Sequence, residues 1–410
     1  MTSAEVLKKQ EVENSLPNDW QWVKLGDICE ITMGQSPIGS SYNSEEIGEP
    51  LLNGPTEFGE LHPSPIQWTT NPVRYAEPGD ILFCVRGATT GRKNIADRRY
   101  CIGRGLAAIR GKSGQAINEY LFFALDIAIS TLLGRAAGST FPNLPSSELE
   151  KFKILLPPLS EQKRIAAILN ERLAAIEEAR QVTQEQLKAA QMLPAAYLRE
   201  VFESPEAQIW ERKKLGDISE VVAGITLGPN RPTEKTSLVP YLRVANVKDG
   251  YLDLSDVYNI EATETEVEKC CLQFGDILLT EGGDPDKLGR GTFWRGEIDN
   301  CIHQNHIYRV RFNLDEVSPE FVSIQLGSSY GKAYFLAHAK QTTGIATINQ
   351  QVLKNFPLMM PAITEQRRIA KDIATKMVDI EYLNKSIEDR LIAIGKLKTT
   401  LLRQAFEGEL

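Results

Sequence analysis

Large apolar residues recur every seventh position near the C-terminus: Ile373, Ile380, Ile387, Ile394 and Leu401, with Met377 and Leu391 on a second seam. An earlier stretch repeats the register with Leu169, Ile176, Thr183, Ala190 and Tyr197, flanked by Leu173, Leu187 and Val201. Heptads sustained this long, with polar residues between, predict two long helices that pack on each other as a coiled coil. The seam has flaws. Arg180, Asn384 and Lys398 stand at core-type positions, and Pro194 predicts a kink in the first helix. Ahead of each helix the pattern changes to short apolar runs between Gly, Pro and Asn. DILFCVR, DILLTE and HIYRVRF read as strands. NEYLFFALDIAISTLLGRAA and SPEFVSIQLGSSYGKAYFLA read as helices. Each helix therefore follows a mixed α/β globular domain.

The similarity of the two halves is a tandem duplication. KLGDICEI at 24–31 returns as KLGDISEV at 214–221, and PGDILF at 78–83 as FGDILL at 274–279. YCIGRGLAAIR at 100–110 returns more loosely as NCIHQNHIYRV at 300–310. LEKFKILLPPLSEQKRIAAIL at 149–169 returns as LKNFPLMMPAITEQRRIAKDI at 353–373, with 8 of 21 positions identical. The offsets are 190, 196, 200 and 204, so the second copy carries 14 extra residues, as expected of loops diverging on a kept frame. The predicted segments are 1–18, 19–158, 159–203, 204–361 and 362–410, namely a leading segment and then domain, helix, domain and helix. Pro157-Pro158 and Pro361 stop a strand, Ser160 and Thr364 are the expected N-caps, and Glu161 and Glu365 suit the positive helix end.

Composition adds boundaries. The chain of 410 residues has 42% hydrophobic and 24% charged residues, ordinary for a folded soluble protein. Its polar start is unlike a signal peptide, and LFFALDIAISTLLG is too short for a membrane span. Six scattered cysteines suit a reduced, cytoplasmic setting. Enzyme signatures fail: GATTGRKN lacks the Lys-Ser/Thr ending of a phosphate loop, no GxGxxG opens a βα unit, and no Asn-Pro-Pro-aromatic tetrapeptide occurs. CIHQNH at 301–306 matches no common zinc spacing, so no metal site is expected.

The net charge is −8, yet basic residues cluster. Arg86, Arg92, Lys93, Arg98, Arg99, Arg104, Arg110 and Lys112 face only Asp97 within their block, with glycines interleaved. The matching block of the second copy holds Lys287, Arg290, Arg295, Arg309 and Arg311 against Glu297 and Asp299, and its HQNH word, His303, Gln304, Asn305 and His306, offers donors and acceptors suited to base edges. Basic excess in the same block of both copies of an acidic protein points to nucleic acid. Thr89, Ser139, Thr140, Arg243, Asn246, Thr342 and Thr343 complete the candidate contact set.

In the order and spacing of these motifs the chain resembles the specificity (S) subunit of type I restriction–modification systems. The marks are LPPLSEQKRIAAIL and MPAITEQRRIA after GDIL domains, the terminal LLRQAFEGEL echoed by YLREVFESPE, and YLRVANVKDG at 241–250. LLNGPTEFGEL in the first copy departs from that last form. The resemblance implies an α/β (α+β) architecture: two target-recognition domains joined by two long antiparallel coiled-coil helices, with pseudo-two-fold symmetry. It implies that each domain reads half of a split double-stranded DNA target. Two methyltransferase (M) subunits would bind S-adenosylmethionine, restriction (R) subunits would join the full complex, and this chain would hold no cofactor or catalytic residue. A self-contained DNA methyltransferase or nuclease, and a duplicated scaffold without nucleic acid, are the alternatives.

Overall fold

The computed structural model describes residues 19–135, 143–228, 235–283, 288–342 and 345–410. The chain forms two compact units, one of residues up to Thr183 with Arg390–Leu410, the other Gln184–Asp389. Each unit therefore contains one globular head and one end of each long helix.

In the first unit a four-stranded antiparallel sheet runs in the order Cys29–Met33, Leu106–Gly111, Ile81–Cys84, Lys93–Ile95. A separate pair joins Gln21–Lys24 to Lys153–Leu156. The second unit repeats both. Its sheet runs Ser219–Ala223, Ile307–Phe312, Ile277–Thr280, Gly291–Phe293, and its pair joins Glu211–Lys214 to Pro357–Met360. Both heads also contain a parallel strand pairing, Leu51-Leu52 with Cys101-Ile102 and Tyr241-Leu242 with Ile302-His303. The duplication is thus a duplication of strand order.

Register corrects one alignment. Glu30 lies opposite Arg110 and Glu220 opposite Arg311, so this block is offset by 201 residues, not 200. The shared Cys-Ile is coincidental: Cys101 stands where Ile302 stands, and Ile102 where His303 stands. Register also resolves the departure in the first copy. Leu52 O accepts from Gly103 N as Leu242 O accepts from Gln304 N, so LLNG and YLRV fill one place.

The GDIL word has a charge reason. Asp80 is buried and takes two hydrogen bonds from Arg110, at 2.6 and 2.8 Å. Asp276 is fully buried and takes two from Arg311, both 2.7 Å. Bidentate Arg–carboxylate pairing offsets the desolvation of each carboxylate.

The long helices run Leu159–Phe202 and Ile363–Glu407, and Pro194 does not end the first. Every predicted residue of the C-terminal seventh-position series is buried: Ile373, Ile380, Ile387, Ile394 and Leu401. In the first helix Leu169, Thr183 and Ala190 are buried, while Leu173, Ile176, Leu187, Tyr197 and Val201 are half-buried, like Met377 and Leu391. Within the first unit, Ile165, Ala166 and Leu169 share a core with Leu401, Leu402, Ala405 and Phe406, and Arg164 donates to Leu410 O at 2.7 Å. Within the second, Phe202 shares a core with Ile369, Ala370 and Ile373. In each unit the start of one helix meets the end of the other, which is antiparallel packing. The core-type Arg180 instead turns to Glu177 at the exposed surface.

The repeated SEQ and TEQ words have a different role from the one expected. The helices begin a residue earlier, so Ser160 and Thr364 lie inside the first turn and are not the caps; Pro158 O and Ala362 O accept the first amides. The buried residue is the glutamine. Gln162 donates to Gln115 O at 3.0 Å and Pro157 O at 2.9 Å, and accepts from Ile117 N at 3.1 Å. Gln366 does the same with Glu316 O, Pro361 O and Ser318 N. Three bonds per amide pin each helix start to its head, and the flanking glutamates pair with Arg164 and Arg368. Another correction concerns SPEFVSIQLGSSYGKAYFLA, which forms two helices, Pro319–Gly327 and Ser329–His338. Ser328 breaks it by capping the second from Gly331 N.

Candidate nucleic-acid interface

The basic block of the first head divides into inward and outward side chains. Lys93 is inward: its ammonium meets Asp126 at 2.6 Å and lies 3.8 Å from the Phe122 ring centre. Burial holds its pKa below the usual lysine value, against the pull of Asp126. Arg110 is held by Asp80, and Lys112 donates to the carbonyls of Gly26 and Asp27. Arg98 reaches Tyr100, and Arg99 stacks 3.7 Å from the Tyr75 ring centre beside Glu77. Lys93, Arg110 and Lys112 thus each already have an internal partner.

Arg86, Arg92 and Arg104 are exposed, with no side-chain hydrogen bond or ion pair among the described residues. Arg86 and Arg92 flank the short turn Gly87–Thr89, where Thr89 is half-buried near Cys84 Sγ at 3.3 Å. Arg104 stands at the corner of the turn Gly103–Leu106, closed by Leu106 N donating to Gly103 O at 3.0 Å. Glycine is needed on both sides of it. A Cβ on Gly103 would come 2.5 Å from Asn53 Oδ1, and one on Gly105 2.5 Å from Asn53 O.

The second head turns more of its candidates inward. His303 is fully buried, with Nδ1 3.0 Å from Ile307 O. Burial, with Arg309 nearby, pushes it down to about 4, so it is neutral at pH 7. Asn246 is buried; it donates to Asp253 O and Asp256 O and accepts from Arg243 N. Arg243 pairs with Asp256 at 2.7 Å and stacks 3.4 Å from the Tyr258 ring centre. Arg309 pairs with Glu220 and Arg311 with Asp276. Gln304 Oε1 accepts from Val244 N at 3.1 Å. These groups hold the head together, and His303 and Asn246, expected at a contact surface, lie buried in its core.

Arg295 remains exposed over Phe293, Arg290 is half-buried, and Asn305 is half-buried at the corner of the turn Gln304–Ile307. Ser139, Thr140, Lys287 and Thr343 lie outside the described residues, as does the side chain of Thr342. The sequence reading took His306 only as part of HQNH and missed Glu281; His306 Nδ1 and Glu281 Oε2 are 2.6 Å apart beside Asn305. The spacing signal was present in HQNH, but only the fold brings Glu281 to it. Among the described residues no three His, Cys, Asp or Glu side chains gather as metal ligands, and no helix is long and apolar enough to cross a membrane.

The sequence model of the type I restriction modification DNA specificity domain matches twice, over 17–186 and 208–389. The chain belongs to this family. The two matches fall on the two copies of the strand order described above. A protein of Methanocaldococcus jannaschii named for the type I restriction enzyme MjaX as its specificity subunit is 41% identical over 42% of this chain and 39% of its own length. The EcoKI specificity subunit of Escherichia coli is 24% identical over 67% of this chain and 61% of its own. The chain thus spans less than two thirds of these two relatives. The EcoBI specificity subunit of Escherichia coli matches at 22% identity over 97% of this chain and 87% of its own. In fold, the chain is similar to the HsdS subunit of Thermoanaerobacter tengcongensis, with TM-score 0.66, 20% identity and coverage of 96% and 98%. A chain from a study of type I restriction–modification complex assembly gives TM-score 0.70 at 21% identity, covering 96% and 99%.

Proposed function

We propose that this chain is the DNA-reading subunit of a type I restriction–modification complex. Each head reads one half of a split double-stranded target, and the paired helices connect them. Two methyltransferase subunits dock on it, carry S-adenosylmethionine and methylate adenine, and restriction subunits join the full assembly. The observation that carries this reading is the repeated head. One strand order presents a polar side chain at the same turn corner twice, Arg104 and Asn305, on frames that share a buried carboxylate paired with arginine, Asp80–Arg110 and Asp276–Arg311. That is the form expected of two readers with one scaffold and two specificities. Family membership supports it, as does a sequence without cofactor or nuclease motifs.

Purified alone with S-adenosylmethionine and random-sequence DNA, the chain should transfer no methyl groups. Adding its methyltransferase partner should produce methylation at defined sites. Methyl transfer by the pure chain in proportion to its amount would overturn the proposal in favour of a self-contained methyltransferase.

The exposed arginines give a separate expectation. Substituting Arg86, Arg92 and Arg104 together by Ala should lower the salt slope of DNA binding by the assembled complex, by up to about one per lost phosphate contact. Unchanged affinity and slope, measured between low and physiological salt, would place the contact face elsewhere.

A further inference from the structure

We propose that the corner residue of the turn between the parallel strand and the central sheet strand is a base-reading residue in each head, with Arg104 reading guanine and Asn305 reading adenine. This rests on the DNA-reading role above and assigns its specificity. The two turns are equivalent by their bonds. Leu106 N donates to Gly103 O as Ile307 N donates to Gln304 O, and Val85 N donates to Gly105 O as Glu281 N donates to His306 O. The corner is therefore fixed by backbone in both heads, while the side chain there is free to differ.

In the first head that side chain is an exposed guanidinium between two glycines. Its donor fork matches the two acceptors that guanine shows in the major groove. In the second head a short relay sets the amide. Glu281 Oε2 lies 2.6 Å from His306 Nδ1, and His306 Nε2 lies 3.4 Å from Asn305 Nδ2. A carboxylate only accepts, so the ring proton facing Glu281 sits on Nδ1, and in the tautomer with that proton alone Nε2 is an acceptor. Asn305 Nδ2 then donates one hydrogen to Nε2, which fixes which side of the amide is nitrogen. One N–H and the carbonyl oxygen remain free among the described residues. That donor and acceptor pair complements adenine N7 and N6. His306 and Glu281 are positioning residues: they act on the base only through Asn305.

The test uses the chain assembled with its methyltransferase partner and a DNA library randomised across the target, read by sequencing bound and methylated molecules. Asn305→Ala should lose discrimination by about five- to 150-fold at one position of the second half-site, where the wild type requires an A·T pair. Asn305→Asp, nearly the same shape, should lose it too, because a carboxylate cannot donate to N7. His306→Phe should weaken preference at that same position and nowhere else. Arg104→Ala should relax one G·C position in the first half-site only. Variants that keep every base preference, or that relax a position of the other base pair, overturn the assignment while a specific wild-type target leaves the DNA-reading role standing. A wild-type complex with no sequence preference overturns both.

Discussion

Asp276→Ala should destabilise the second unit by about 3 kcal/mol or more, the largest loss expected of any single substitution considered for this chain. The carboxylate is wholly buried and holds Arg311 through two bonds of 2.7 Å, besides accepting from Gln273 N at 2.7 Å. Removing it leaves a guanidinium in the sheet with one remaining hydrogen-bond partner among the described residues, the carbonyl of Cys271. The cost is that of an abandoned charge, not of the pair itself. Asp80→Ala should cost less, because the Arg110 side chain is 42% exposed and water can take over its hydration, against 26% for Arg311. Hydrogen exchange of strands Ile277–Thr280 and Ile81–Cys84 in the two variants measures each unit separately. Losses below about 1 kcal/mol in the second unit, or a larger loss in the first, would show that the carboxylates do not carry their heads in this way.

The second large effect concerns the helices. Four residues inserted after Ala174 extend the first helix by about 6 Å. Four residues are close to one turn, so the seam is disturbed only as by a stutter. If the paired helices set the spacing of the half-sites, the preferred gap should grow by one or two base pairs at about 3.4 Å each, with both half-sites unchanged. Methylated sites made by the variant with its partner subunits reveal the gap. Full methylation at the original spacing would mean that the helices are not the ruler. Changed half-sites would mean that the helices belong to the reading heads.

Much of this architecture was legible in the chain because it is written in patterns that sequence carries directly. Ile373, Ile380, Ile387, Ile394 and Leu401 are buried as their period requires, since a seam of one face can only be covered by a neighbour. The paired GDIL words marked equivalent strands because Asp80 and Asp276 answer the same arginine position. Two matters were less legible. Whether a basic residue faces water or a carboxylate depends on partners distant in sequence: Lys93 finds Asp126, and Arg309 finds Glu220. A block of positive charge therefore overstated the free surface. Helix starts were placed on Ser160 and Thr364 because hydroxyls commonly cap, yet here the neighbouring glutamines carry the bonds, to turns some 45 residues away. The Cys-Ile identity at 101 and 301 shows the same weakness on a small scale, since two shared letters outweighed a register that only strand pairing reveals.

The most direct test of the central claim is to sequence all methylated positions in DNA from cells making this chain with its methyltransferase partner. Two heads of one strand order with different corner residues predict a single target of two short, different, defined elements separated by a gap of fixed length and free sequence. Methylation at one uninterrupted motif, at elements with variable spacing, or at no preferred sequence would contradict the account.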